Sequence, residues 1–374
     1  MKNLIISLVA FVLLFSCNDK NYNMSTEILR DGSCIRKFTA TTDSAFMVGD
    51  TNYNPFPVKI DRNWKISYVH PDSSGKVSTV WPVKSWISNK SNGKDTSIRT
   101  RALREMKISI TRKYSNVKAM QDSFLFSKDW ENVHPKISLV KKFKWFYTTY
   151  SFREIYPKYN TLKHVPIEKY LTGDDIKWYF SENPKFPAYL TGKEIKDTLD
   201  RIDNQVNAWL GKNIFEESFI QLINGIKRFE PNNPYLKRII LSKDTLFELY
   251  KSDKPLEGDL GKAIQKHLKI KKIFLNAKTE QALDDYSKKF DDTLFATIGK
   301  KSDYELVMPG KIIETNSNLL YGDKLNWTID GYRFFFLDYE IYAKSRVANV
   351  WAFVISGFFV LAVALSFFIR RKKE

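Results

Sequence analysis

Histidines, paired carboxylates and hydroxyls are the side chains here that could do metal, acid–base or nucleophilic chemistry. Their spacing argues against most of it. His70, His134, His164 and His267 are scattered along the chain. None stands at His-x-x-x-His or His-Glu-x-x-His spacing, which would aim two imidazoles from one helix face at a zinc ion. His70 and His134 both occur as Val-His-Pro, which suits the end of a strand. Paired acids occur at Asp174-Asp175, Asp284-Asp285 and Asp291-Asp292. Neighbouring helical residues point about 100° apart, so such pairs favour solvent or helix starts over a glycosidic bond held between them. There is no Gly-x-Ser-x-Gly elbow and no phosphate-cradling Gly-x-x-x-x-Gly-Lys loop. A Ser-His-Asp triad is recognised by geometry and stays open. The sequence thus assigns no catalytic residue, no metal ligand, no cofactor-binding residue and no cofactor.

Covalent modification is better supported. Met1-Lys2-Asn3 precedes Leu4 to Ser16, thirteen residues without a charge. A positive start followed by an apolar run of this size reads as a secretory signal. As a helix it rises only about 20 Å, too little for a hydrocarbon core of about 30 Å. Leu14-Phe15-Ser16-Cys17 at its end resembles a bacterial lipobox, with polar Asn18-Asp19-Lys20 following. That makes 1–16 a lipoprotein signal peptide and Cys17 the acylated first residue of the mature chain. Cys34 is then left unpaired, as a small buried residue. Asp43-Ser44-Ala45 resembles the O-glycosylation triplet of the Bacteroidetes, with Ser44 as acceptor. Asp197-Thr198-Leu199, Asp244-Thr245-Leu246 and Asp292-Thr293-Leu294 share the pattern, on stretches that read as helical.

The other end supplies a second attachment. Val350 to Ile369 is twenty residues without a charge, followed by Arg370-Arg371-Lys372-Lys373. Twenty helical residues span about 30 Å, the bilayer core. Trp351 stands at the entry, where an indole prefers the interface, and the basic cluster prefers the cytoplasm. The expected topology is a transmembrane helix over 347–369, a cytoplasmic tail over 370–374 and the bulk of the chain outside the inner membrane. Sixty Lys+Arg against 42 Asp+Glu favour contact with anionic lipid or acidic envelope polymer, or with an envelope protein. The compartment argues against nucleic acid.

Between the ends, 43% hydrophobic and 27% charged residues over 374 positions exclude disorder, collagen and a polytopic membrane protein. Two cysteines exclude a disulfide scaffold. The expected fold class is α+β, an antiparallel β domain near the membrane with a helical insertion. The boundaries are 17–164 for the β-rich part, 165–302 for the helical part and 303–346 for returning strands. Asp31-Gly32 predicts a two-residue type I′ hairpin in which Leu29 faces Cys34, Ile28 faces Ile35 and Glu27 faces Arg36. Trp64–Val69 and Lys107–Thr111 alternate as strands. Pro71–Gly75 and Ser88–Lys94 read as turn and loop. Lys142–Tyr150, rich in aromatic and β-branched residues, reads as one strand buried on both faces. Tyr170-Leu171-Thr172-Gly173 recurs as Tyr189-Leu190-Thr191-Gly192, each Thr three residues before an acid, which is the spacing of a capping box. Phe215, Phe219, Leu222, Ile226 and Phe229 share one helix face, as do Leu283, Tyr286, Phe290 and Leu294.

Asp31-Gly32, Pro309-Gly310, Thr315-Asn316, Gly322 and Trp327, with the lipidated start and the final apolar helix, resemble the LppM-type lipoprotein domain. The resemblance covers about 70 residues at the two ends of the outer region. It implies a small membrane-proximal β domain built from both ends of the chain, with the long middle as an insertion, and it carries no catalytic residues. The Lys- and Asn-rich composition is similar to that of Bacteroidetes membrane-anchored lipoproteins. The function that follows is a tethered protein presenting a binding or assembly surface in the envelope. The alternative is an envelope hydrolase with a cleft between the β and helical parts.

Overall fold

Alternation of buried and exposed residues, clearest in the strands over Tyr22–Ile28, Cys34–Thr41, Tyr147–Tyr156 and Tyr339–Ala348, lays down two sheets. The computed structural model describes residues 22–371, apart from 43, 70–76, 84–105, 124–133, 161, 181–185, 252–259, 271–274, 299–300, 318 and 322–323. Cys17, Pro71–Gly75 and Ser88–Lys94 therefore lie outside the described residues. The strands are β1 (Tyr22–Ile28), β2 (Cys34–Thr41), β3 (Lys65–Val69), β4 (Val77–Ser78), β5 (Lys107–Tyr114), β6 (Lys136–Lys144), β7 (Tyr147–Tyr156), β8 (Lys301–Val307), β9 (Lys311–Thr315), β10 (Leu319–Tyr321), β11 (Lys324–Asp330) and β12 (Tyr339–Ala348). The helices are α1 (Ser44–Met47), α2 (Val117–Asp122), α3 (Gly173–Phe180), α4 (Gly192–Phe229), α5 (Leu236–Leu241), α6 (Lys243–Tyr250), α7 (Leu260–Leu268), α8 (Ala277–Ile298) and α9 (Val350–Arg371).

The chain divides into two compact units. The β unit takes in Lys20–Pro157, Ser302–Ile329 and Tyr339–Glu374. It holds one sheet in the order β10-β11-β8-β1-β2-β5-β3-β4 and another in the order β6-β7-β12-β9. The first sheet is mixed, because β1 and β8 run parallel, Met24 opposite Tyr304 and Thr26 opposite Leu306. This corrects the expected antiparallel domain. Parallel neighbours need a long crossover, and everything between β1 and β8 supplies it. Tyr22, Met24, Thr26 and Ile28 of β1 are buried, as are Cys34, Arg36, Phe38 and Ala40 of β2 and Phe152, Glu154 and Tyr156 of β7.

The β1–β2 register also differs from expectation. Ile28 pairs with Cys34, Glu27 with Ile35 and Thr26 with Arg36. Gly32 alone in the turn has positive φ, +96°. The Gly32 N–H donates to the Leu29 carbonyl, and the Leu29 N–H to the Ser33 carbonyl. This is a three-residue loop with a glycine bulge rather than a type I′ turn, which needs positive φ at both centres. Asp31 reinforces it by accepting from the Ser33 N–H and hydroxyl at 2.9 and 2.7 Å. A slip of one residue exchanges the two faces of a strand relative to its partner. Arg36 thereby stands beside inward-facing Thr26 instead of outward-facing Glu27.

The expectation of one strand over Lys142–Tyr150 is corrected too. The run is a hairpin, β6 turning at Trp145-Phe146 into β7. Two adjacent bulky aromatics, Trp145 and Phe146, form the turn and pack on α9 (Val350–Arg371) rather than in the core.

Pro309-Gly310 turns β8 into β9. Gly310 has φ +78°, and a Cβ there would collide with the carbonyl oxygen of Arg346. Both the positive φ and the close backbone demand glycine. Gly310→Ala is expected to lower stability by about 1–3 kcal/mol from backbone strain alone, read as a drop in the denaturant midpoint without a change in slope. An unchanged midpoint would mean that the β9–β12 edge shifts freely.

The helical unit comprises Lys158–Lys301 and Asp330–Asp338 among the described residues. Both Thr-x-x-acid signals act as read. Thr191 caps α4 with the reciprocal Glu194 bond, and Thr172 and Asp175 exchange the equivalent bonds before α3. Phe215, Phe219, Leu222 and Ile226 of α4 are buried against α6 and α7. Toward its N-terminal half α4 buries Ile202, Val206 and Trp209 with Phe180 and Leu294. Asp330–Asp338, expected to continue the strands, instead delivers Phe336 into that second core, stacked on Phe180 with ring centroids 3.8 Å apart.

α9 contains Val350–Phe368, long and apolar enough to cross a bilayer. Only 6% of that stretch is buried, whereas a core helix of a soluble protein would be mostly covered.

Candidate binding surface and helix junction

Three places in the β unit gather polar or aromatic groups. The first is closed. Arg36 and Glu154 are 0% and 1% exposed and pair at 2.8 Å across the two sheets. Glu154 also accepts from Tyr304 at 2.8 Å and Tyr156 at 2.7 Å, and Thr26 shares a 2.7 Å bond with Tyr304. Burial pushes both tyrosines well above their ordinary values, and the Glu154 charge adds to it. Burial opposes the Arg36 cation, but Glu154 more than restores it. With no path to solvent the group is a lock between sheets, not a reaction centre. Cys34 lies beside it against Met120, its thiol pushed up to about 11 by burial, so it is a weak nucleophile.

The second place is open. The outward faces of four adjacent strands form a groove of about 560 Å³. β1 contributes Asn23 and Ser25, β2 Lys37 and Thr39, β8 Asp303 and Glu305, and β11 Lys324, Asn326 and Thr328. Lys324 holds Glu305 at 3.0 Å, and Thr39 bonds Ser109 of β5 at 2.8 Å. Amides, hydroxyls and both signs of charge suit a polar, hydrogen-bonding ligand. No histidine or cysteine lines it.

The third is the joint between sheet and helix. β12 pairs with β7 to its last residue, Ala348 opposite Tyr147, and α9 starts two residues later. Asn349 fills the gap. Its N–H donates to the Phe146 carbonyl at 2.9 Å. Its side-chain amide donates to the carbonyls of Lys144 and Trp145 at 2.7 and 3.1 Å and accepts from the Thr148 hydroxyl at 3.0 Å. The β6–β7 turn is therefore fastened to the root of the helix. Phe143 and Trp145 pack on Trp351, Phe146 packs on Phe353, and the Trp145 indole donates to Ser356 at 2.9 Å.

Of the residues behind the resemblance, Gly322 lies outside the described residues, while Asn316 and Trp327 have structural work. Asn316 accepts from the Tyr342 N–H and the Trp327 indole and donates to the Glu340 carbonyl, tying β11 to β12. Ser44, the proposed glycan acceptor, is the first residue of α1.

In the helical unit, His164 and Tyr286 both hydrogen-bond Glu217, and Gln221 donates to it at 3.1 Å. Burial would raise the Glu217 carboxyl, but these donors together hold it low. A carboxylate so fully engaged cannot serve as a ready base. Asp175 is similar, its desolvation outweighed by Arg201 and Thr172. So is Glu230, outweighed by Thr279, Asn276 and Asn233. The paired acids at 174–175 thus divide, Asp175 inward to Arg201 and Asp174 exposed. Ser242 and His267 share a 2.7 Å bond. His134 is exposed and apart from the other two described histidines in the fold's division, and His70 lies outside the described residues. Among the described residues no group of His, Cys, Asp and Glu is placed to hold a metal ion.

These lowered carboxyls give a pH prediction. A folded-state pKa below the unfolded one stabilises above the unfolded value and is lost as pH falls through the folded one. The helical unit is expected to keep its stability down to the ordinary carboxylate range, near about pH 4, and lose it progressively below. Helical circular dichroism under mild denaturant, followed against pH, checks this. A loss that begins near neutrality would contradict it.

Comparison with protein-family models, curated proteins and solved structures finds no match.

Proposed function

We propose that the chain is a single-pass protein of the inner membrane, acylated at Cys17, that holds its two folded units outside the cytoplasm and offers the sheet-face groove as a binding surface. The observation that carries this is the joint at Asn349. A sheet that runs into an exposed apolar helix through one fully hydrogen-bonded residue fits a folded body fixed to a bilayer. The LppM-type resemblance supports the same reading. The groove's mixed amide, hydroxyl and ionic lining favours a polar envelope ligand, on an acidic polymer or another envelope protein.

Photo-crosslinking in cells tests it, with a benzophenone amino acid at Thr39 or Asn326. A discrete adduct is expected, abolished by Thr328→Arg, with none from Tyr189 on the helical unit. Adducts no stronger than those from position 189 would count against the groove.

The hydrolase alternative draws on one observation, the Ser242–His267 pair. It requires Ser242 to label with a fluorophosphonate and Ser242→Ala to lose the label. Among the described residues no carboxylate hydrogen-bonds His267 to complete a triad.

A further inference from the structure

The aromatic turn between β6 and β7 is the most conspicuous part of the surface left without a task. From Val140 to Phe146 every residue is exposed, and β6 is an edge strand. Phe143, Trp145 and Phe146 are 60, 47 and 44% exposed despite packing on α9. Such a cluster on a water-facing loop would be an aggregation liability. Its position explains it. Ser356, which the Trp145 indole reaches, lies six residues into α9, about 9 Å along the axis. If α9 enters the bilayer at Val350, the turn sits level with the headgroup and outer acyl region, where indole and phenyl rings are favoured. Three lysines stand on the same hairpin. Lys141 is held by the Arg30 carbonyl at 2.9 Å and lies over Tyr150, and Lys144 lies over Tyr147. Lys142 is exposed between them. Basic side chains close behind apolar rings are the pattern of a segment that binds anionic membranes.

We propose that this hairpin is a second membrane contact, its three aromatic rings seated in the lipid interface beside α9 and Lys141, Lys142 and Lys144 meeting anionic phospholipid headgroups. It would stop the β unit from pivoting on the helix and fix how the groove faces the envelope. The proposal rests on α9 being a membrane span. Phospholipid is favoured over a second protein copy because the rings already lie along the helix that lipid must surround, and because three cations flank them.

The test uses the full chain in nanodiscs, with an environment-sensitive fluorescent amino acid at position 146, 189 or 360. The bilayer is phosphatidylcholine alone or mixed with phosphatidylglycerol. Position 146 should be quenched by a lipid-borne quencher and shielded from an aqueous one, as 360 is and 189 is not. Phosphatidylglycerol should deepen the blue shift at 146. Lys141→Gln, Lys142→Gln and Lys144→Gln together should remove that added shift while leaving 360 unchanged. Quenching at 360 with 146 as open to water as 189 would overturn the proposal alone. Shielding of 146 that vanishes when nanodiscs hold a single copy would overturn it in favour of self-association. Aqueous quenching at 360 would instead remove the membrane span and the proposal with it.

Discussion

Glu154→Ala is expected to destabilise the β unit by about 3–5 kcal/mol, the cost of leaving one member of a buried ion pair without its counter-ion. Arg36 is wholly buried and cannot turn to water, and its cation persists at any accessible pH. The loss also strips Tyr304 and Tyr156 of the acceptor they share. Tyr304 keeps its bond to Thr26, so the lost acceptor adds less than the roughly 1–3 kcal/mol of a hydroxyl left with no partner at all. Removing both charges is a different matter. Arg36→Met with Glu154→Leu takes away the desolvation penalty together with the attraction, so the pair should recover most of the loss. Urea unfolding of Arg36→Met, Glu154→Leu and the double variant gives the coupling directly. A single-variant loss below about 1 kcal/mol, as for a surface pair, would show that the network is open to solvent.

Phe336→Ala should have an effect of the same size on the helical unit, about 3–5 kcal/mol for a buried aromatic removed from a core. Phe336 stacks on Phe180 and meets Trp209 at 5.2 Å. Trp209 is itself fixed by its indole bond to the Val165 carbonyl at 2.7 Å. Trp209 cannot shift into the hole without breaking that bond. Phe336 also anchors the Asp330–Asp338 excursion, which bonds to the unit through Lys158 N–H to Asp338 and Tyr159 N–H to the Phe334 carbonyl, both 2.7 Å. Hydrogen exchange should show α3 and the first half of α4 losing protection. Protection lost equally along all of α4 would mean that its two cores unfold as one.

These two sites mark where the sequence was readable and where it was not. Helix starts were legible because a cap is local. Thr172 with Asp175, and Thr191 with Glu194, need only a spacing of three. The α4 stripe was legible because a core face repeats every turn. Arg36 was misplaced because one glycine decided the matter. A bulge at Gly32 instead of a paired turn moved the register by one and turned a surface cation into a core one. A signal was present in Cys34-x-Arg36-x-Phe38 and Phe152-x-Glu154-x-Tyr156, where a charge interrupts the apolar face of each strand. The β6–β7 turn was hidden because aromatic residues that pack on an exposed apolar helix look, in composition, like those of a doubly buried strand. β12 was legible only as part of the returning strands over 303–346, because after the buried Tyr339 and Ile341 its inward positions are small or polar, Ala343 and Ser345. Asn349 carried no pattern, since its partners lie some two hundred residues earlier. The groove was invisible for the same reason, its four strands coming from both ends of the chain.

Thiol accessibility on either side of the inner membrane bears most directly on the whole account. Tyr189→Cys and Lys373→Cys are labelled with an impermeant maleimide in cells whose outer envelope alone is opened, and again after the inner membrane is breached. Residue 189 should react in both and residue 373 only after the breach. Reaction of 189 only after the breach would place the folded units on the wrong side, reaction of 373 before it would remove the membrane crossing, and either would end the tethered reading.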